Sequence, residues 1–248
     1  MIRVEGLHKS FDGVPVLRGA SLDVAAGEAT ALIGPSGQGK SVFLKHLVGL
    51  VHPDRGRVLV DGQDVARLRG RKLQRLRNRF GYLFQGGALF ESMTVFENLA
   101  FPLREKTGLR RHEIGRRVAG ELDRVGLAGS EGKYPSQISG GMRKRAALAR
   151  AMLLSPEIML FDEPTTGLDP IMTRAIHGLI ETCHDRLGFT AIIVSHEVPS
   201  IFQVADRVAM LHDGVIRVLG TPEAALAESD PFVHDFVRGH MPPALARD

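Results

Sequence analysis

Short apolar runs recur along this chain, and the stretches between them place apolar residues at helical spacing. Ile2–Phe11 and Val14–Val24 read as two strands joined by a turn at Asp12-Gly13. Ala29–Ile33 reads as a third strand, and residues 42–50 as a helix. Residues 57–60 form a short strand closing at Asp61-Gly62, 67–79 a basic helical stretch, and 80–84 an apolar strand ending at Gln85. From 86 to about 137 the pattern is that of a helical insertion, with helices near 95–103 and 112–125. Then come a helix over 139–154, a buried strand over 158–161, a helix over 171–187, a strand over 190–194 and a helix over 199–205. Residues 206–211 and 215–219 make a hairpin around Asp213-Gly214. Strands alternating with helices predict an α/β fold around a parallel sheet, with antiparallel additions from the early and late strand pairs.

Neither repeats nor a low-complexity linker break this order. In the tail, Asp230 suits an N-cap and Pro231 the first helical position. Phe232, Val233, Phe236 and Val237 then share one face, which packs on its own domain or reaches a partner copy. The expected division is a domain over 1–228 and a C-terminal extension over 229–248, partly mobile and containing Pro242-Pro243.

Composition narrows the picture modestly. The 248 residues, 44% hydrophobic and 24% charged, suit one large α/β domain or one with a small lobe. A net charge of +4 permits contact with nucleic acid or anionic lipid without arguing for either. With no Trp and two Tyr, an aromatic platform for single strands is not expected. Cys183 is the one cysteine, so no internal disulfide forms, which fits a reducing compartment. The stretch MIRVEGLHKSFDG has no apolar h-region, and no run approaches the roughly 18 apolar residues of a membrane span. Arg67, Arg69, Arg71, Lys72, Arg75, Arg77 and Arg79 crowd one segment, read first as a solvated helix face. Attraction to anionic headgroups, roughly 1 kcal/mol per charge near the surface, is the second reading; a nucleic-acid patch is the third and has no supporting aromatics, so no nucleic-acid partner is expected.

The chemistry concentrates at GPSGQGKS: Gly34, Pro35, Ser36, Gly37, Gln38, Gly39, Lys40 and Ser41. This fits G-x-x-x-x-G-K-[ST] in its strand–loop–helix context, a phosphate-binding P-loop. Gly34, Gly37 and Gly39 let the loop wrap and aim backbone N–H groups inward, and the helix starting near Lys40 adds its positive end. Lys40 is placed to reach the β- and γ-phosphates, and the Ser41 hydroxyl to ligate Mg²⁺. A second constellation, IMLFDEP, ends a buried strand with Asp162, suited to hold Mg²⁺, and Glu163, suited to polarise water for attack on the γ-phosphate. No N-K-x-D motif for guanine is present, which favours ATP.

With these motifs in order over residues 1 to about 220, the chain resembles the ATPases of ATP-binding cassette (ABC) transporters. The resemblance implies a mixed-sheet core with an antiparallel β subdomain and a helical subdomain over about 86–155. It implies that ISGGM is the signature, with Ser139, Gly140 and Gly141 offered to the ATP of a partner subunit in a homodimer; Ser139 also suits a plain helix N-cap. Gln85 matches the Q-loop position that senses Mg²⁺ and faces the membrane partner. His196 matches the switch histidine on the γ-phosphate, and Asp169 of GLDP the D-loop at the dimer seam. Phe11 matches the aromatic that stacks on adenine, with Val16 nearby. Met142 stands where the signature carries Gln, which removes a side-chain donor and leaves the Ser139 and backbone contacts.

SGGM followed by RKRAALARA, with GGALFESMTVFENLAFPLRE at 86–105, is similar to Mla-type transporter ATPases. That likeness implies a permease and an MCE-domain protein as partners, phospholipid as cargo, and a place on the cytoplasmic face of the inner membrane, held there by the permease. Two alternatives accompany it: an importer ATPase for amino acids or another small solute, and a soluble ABC ATPase acting on DNA or the ribosome. The second lacks support from a long coiled-coil insertion or a second cassette.

Overall fold

The computed structural model describes residues 2–239, so Pro242-Pro243 lie outside the described residues. Two sheets organise it. A four-stranded antiparallel sheet runs β2-β1-β4-β5, from β1 (Ile2–Phe11), β2 (Val14–Val24), β4 (Arg55–Val60) and β5 (Gln63–Asp64). A six-stranded sheet runs β10-β9-β3-β8-β7-β6, from β3 (Ala29–Ile33), β6 (Phe80–Leu83), β7 (Ile158–Asp162), β8 (Thr190–Ser195), β9 (Arg207–His212) and β10 (Val215–Gly220). Its strands pair in parallel except for the β9–β10 hairpin.

β3, β7 and β8 are buried at every position, as expected of strands covered on both faces. Alternation still sorts their side chains. Met159, Phe161, Ala191 and Ile193 enter the core beneath α5 (Gly140–Met152) and α6 (Pro170–Leu187). Leu160, Ile192 and Val194 face the opposite core, shared with the antiparallel sheet and with α1 (Lys40–Leu47). A third core joins α5 to α3 (Val95–Lys106) and α4 (Arg111–Arg124), giving the helical subdomain its own apolar centre.

Local chemistry sets the helix ends. α3 begins in a capping box, with Thr94 Oγ1 accepting from Glu97 N at 3.2 Å and the Glu97 carboxylate accepting from Thr94 N at 2.9 Å. Thr94→Ala is expected to cost about 1 kcal/mol, lowering the melting temperature by roughly 2–4 °C; calorimetry checks this. α6 starts at Pro170, capped by Asp169, and stops at Gly188, whose φ of 62° is the left-handed C-terminal conformation.

Several elements differ from the sequence pattern. The basic stretch at 67–79 divides into a 3-10 turn, Val65–Arg67, and α2 (Gly70–Arg77). Arg77 donates to the Val48 and Gly49 carbonyls, and Arg79 pairs with Asp61 and Glu157, while Arg71, Lys72 and Arg75 stay exposed. The helix expected at 199–205 is a 3-10 segment, Ser200–Val204, closed by the Phe202 N–H on the Pro199 carbonyl at 3.0 Å. β5 and α7 (Pro222–Leu226) are additions the pattern did not announce. In α8 (Pro231–Val237), Val233 and Val237 are buried in the core beneath α6, so this part of the tail packs on its own domain.

Candidate functional site

The parallel strands deliver the singled-out motifs to one edge of the six-stranded sheet. β3 runs into the P-loop, β6 towards Gln85, β7 into Asp162-Glu163 and β8 into Ser195-His196. In register, Ile33 lies beside Ser195, and Asp162 beside Val194. Carboxyl ends of parallel strands are where open α/β sheets bind ligands.

The P-loop is shaped by close packing. Gly34 has φ 145°, and a Cβ there would lie 2.2 Å from the Leu211 carbonyl oxygen. Gly39 has φ 92°, and a Cβ there would lie 2.6 Å from Val16 Cγ1, so the β1–β2 hairpin presses directly on the loop. Gln38 Oε1 accepts from Asp213 N at 3.0 Å. Phe11, at the end of β1, is 43% exposed, with Lys9 Nζ over one face of its ring, 5.3 Å from the centroid.

Lys40 is buried, and its ammonium donates to the carbonyls of Gly34 at 2.7 Å and Pro35 at 2.8 Å. Burial lowers its pKa, opposed by Glu163 and then Asp162; Glu163 Oε1 is 3.9 Å away. Ser41 Oγ donates to Asp162 Oδ1 at 2.7 Å, and Tyr82 OH donates to Asp162 Oδ2 at 3.3 Å. Burial, reinforced by Asp162, raises the Tyr82 pKa, so the phenol keeps its proton and remains a donor. His196 Nδ1 lies 2.6 Å from Glu163 Oε2, and Thr166 Oγ1 donates to the same oxygen at 3.0 Å. A carboxylate only accepts, so Nδ1 carries the proton in this pair and Nε2 is left for another partner. Glu163 itself has φ 53°, a left-handed conformation that a non-glycine residue adopts only when its surroundings enforce it.

Lys40, Ser41, Asp162, Glu163 and His196 therefore form one connected cluster. Ser139 stands apart from these contacts and caps α5, its Oγ accepting from Met142 N at 3.2 Å. Asp169 caps α6, accepting from Ile171 N at 2.9 Å and Met172 N at 3.0 Å. The two caps are neighbours, since a Cβ on Gly141 would lie 2.6 Å from Met172 Cε. Gln85 is exposed, and its carbonyl accepts from Lys144 Nζ. Sequence reasoning missed Tyr82, Thr166 and Lys144. The hydroxyl run after Glu163 pointed towards Thr166; Tyr82 and Lys144 reach the cluster only through strand pairing and helix packing.

Among the described residues no group of three His, Cys, Asp or Glu side chains could hold a metal, and no helix is long and apolar enough to cross a membrane. The Ser41 hydroxyl and Asp162 carboxylate nevertheless converge as hard oxygen donors. That set suits Mg²⁺, which takes one or two protein oxygens and completes its shell with phosphate and water.

The family model described as ABC transporter matches residues 17–166. A Mycobacterium leprae protein named "Probable ribonucleotide transport ATP-binding protein mkl" is 46% identical over 238 residues, covering 96% of this chain and 69% of the relative. The Haemophilus influenzae "Intermembrane phospholipid transport system ATP-binding protein MlaF" is 44% identical over 219 residues, covering 88% and 83%. A dimeric ATP-binding cassette solved in a post-hydrolysis state with ADP and Pi superposes with a TM-score of 0.82 at 28% identity, covering 89% of this chain and 98% of that one. CbiO1 from Clostridium perfringens, part of an ABC transporter complex, also gives 0.82, at 30% identity and 96% and 94% coverage. The matched family model, the relatives and the shared fold agree, and the chain belongs to the ABC transporter family as its ATP-binding, ATP-hydrolysing subunit.

Proposed function

We propose that this subunit powers movement of phospholipid between membranes, together with an integral-membrane permease and an MCE-domain protein. The observation that carries the reading is the 44% identity to MlaF across 83% of that protein's length. The segment at 86–105 supports it, because Phe90 and Phe101 are exposed and pack edge to face at 5.2 Å, an apolar surface suited to a membrane subunit. Through the permease the chain sits on the cytoplasmic face of the inner membrane. The mkl relative, named for ribonucleotide transport, favours a second cargo carried by the same motor.

In the proposed cycle the P-loop amides and Lys40 cradle the phosphates, Phe11 stacks on adenine and Val16 lines the hairpin beneath it. Ser41, Asp162 and Gln85 would hold Mg²⁺, which when bound neutralises charge between the β- and γ-phosphates. Glu163 takes a proton from the attacking water, and His196 orients Glu163 and reaches the γ-phosphate. Ser139, Gly140 and Gly141 close on the partner subunit's nucleotide, with Asp169 at the seam. Closing and reopening of the homodimer passes through the segment after Gln85 to the permease.

The test is mass spectrometry of what co-purifies with the tagged chain from gently solubilised native membranes. A permease, an MCE-domain protein and bound phospholipid are expected. A different permease with a soluble solute-binding protein would replace the cargo and keep the motor. Recovery of no membrane protein would overturn the transport reading.

A further inference from the structure

The helix that begins at the signature does more than end there. Lys144 lies five residues beyond Ser139 on α5, and its Nζ donates to two backbone carbonyls from different parts of the site: that of Gln85, and that of Glu163 at 3.4 Å. Lys144 is half-buried, facing the carboxylates of Glu163, Glu197 and Asp162. Farther along α5, Arg150 donates to the Gly87 and Ala88 carbonyls, both at 2.8 Å. Ala147 between them seats against Gly87, where a Cβ would lie 3.2 Å from its own. The segment that follows Gln85 is therefore strapped to the signature helix.

The contact to Glu163 falls on a strained peptide. With φ 53°, its backbone depends on neighbours that fix it. Its N–H donates to the Val194 carbonyl at 3.1 Å, and its carbonyl receives Lys144 and, at 3.4 Å, the N–H of Thr166. Lys144 thus helps hold the carboxylate of the same residue against His196 and Thr166. A cavity of about 450 Å³ opens beside this point, lined by Gln85, Gly140, Lys144, Thr166, Gly167 and Leu168.

We propose that Lys144 is a positioning residue that links the signature of each subunit to that subunit's own Gln85 segment and Glu163, so that nucleotide held at the signature by the partner sets the geometry of hydrolysis on this side. The proposal rests on the reading that Ser139, Gly140 and Gly141 take the partner's ATP. A rotation of α5 when its N-terminus closes on phosphate would draw the Gln85 and Glu163 carbonyls with it. The two nucleotide sites would then be coupled through one side chain per subunit. Lys144 touches no reacting atom and acts only through the backbone it holds.

The experiment measures ATP turnover against ATP concentration for the full-length wild type, Lys144→Met and Lys144→Arg, with melting temperatures and with ATP-dependent dimerisation of Glu163→Gln as a reference. Lys144→Met should lower kcat about tenfold while the half-saturating ATP concentration changes less than about threefold, as expected of misplaced catalytic geometry. Its Hill coefficient should fall from between 1 and 2 to about 1. Lys144→Arg, which can still donate to both carbonyls, should restore kcat to within about threefold and recover the cooperativity. Wild-type kcat and cooperativity in Lys144→Met, with Glu163→Gln dimerising normally, would overturn the link alone. Loss in Lys144→Met with a lowered melting temperature and no rescue by arginine would reduce Lys144 to a structural role and also overturn it. A Glu163→Gln chain that stays monomeric with ATP would instead remove the two-subunit site on which the link depends.

Discussion

Lys40→Ala is expected to abolish ATP turnover. The ammonium sits in a buried position between the Gly34 and Pro35 carbonyls and 3.9 Å from Glu163. Burial alone would drive it towards the neutral amine, but Glu163 and Asp162 oppose that loss of charge. When a nucleotide enters, the β- and γ-phosphates offer stronger acceptors than two carbonyls, and the side chain has only to swing within the loop. Removing one partner of a buried ionic contact costs about 3–5 kcal/mol. That corresponds to roughly 10²- to 10⁴-fold in affinity or rate. Alanine also leaves Asp162 and Glu163 facing the incoming phosphates without this cation, so the loss should reach binding as well as turnover. Fluorescent-nucleotide titration and steady-state phosphate release measure the two separately. Turnover near the wild-type rate would sink the assignment of this loop as the catalytic phosphate site.

Glu163→Gln is expected to separate binding from chemistry. The amide keeps the volume and most of the contacts of the carboxylate, including acceptance from Thr166 Oγ1 and His196 Nδ1. What it loses is basicity, and a positioned general base contributes about 10²- to 10⁴-fold. Turnover should fall in that range while ATP affinity persists. A dimer closed on two unhydrolysed nucleotides should then accumulate, visible as an ATP-dependent shift in size-exclusion chromatography. The unusual backbone of Glu163 sharpens the expectation: its carboxylate is aimed by the peptide geometry and by two donors, so few other groups can take over the same proton. A variant that hydrolyses ATP normally would remove Glu163 as the base and shift attention to His196, the nearest other titratable side chain in the pair.

Much of this site is legible in the chain because its parts are local. The P-loop is contiguous, and its glycines answer to constraints that the structure makes explicit: the Leu211 carbonyl beside Gly34 and Val16 beside Gly39. Asp162 and Glu163 follow an apolar run whose complete burial marks it as a central strand. Ser139 reveals itself as a cap through residue type and the helical pattern after it, whereas the capping of α6 by Asp169 emerged only from the structure. The helices were also readable, since α1, α3, α4, α5 and α6 each repeat apolar residues at helical spacing.

Elements that lack a period of their own were not readable. β5 has two residues, and it is a strand only because β4 offers it Leu59 and Val60 as partners. The segment 199–205 has helical composition but folds as a 3-10 turn, whose bond from the Phe202 N–H to the Pro199 carbonyl at 3.0 Å spans three residues rather than four. The apolar face of α8 announced burial without saying against what, and packing placed Val233 and Val237 in the cassette's own core. Likewise, Tyr82 acquires its role from the parallel pairing of β6 with β7, which brings it to Asp162 across 80 positions of sequence.

The α/β class and the family were readable from the chain alone, together with the G-x-x-x-x-G-K-S motif and the adjacent acids, because each depends on residue types at short, fixed spacing. Folding added what the chain did not announce: which strand lies beside which, the left-handed backbone of Glu163 against His196 and Thr166, and the contacts by which Lys144 joins the signature helix to both Gln85 and Glu163. The physical reason is that hydrogen bonding and packing between distant segments depend on how sheets and helices come together in space, and no local periodicity carries that information.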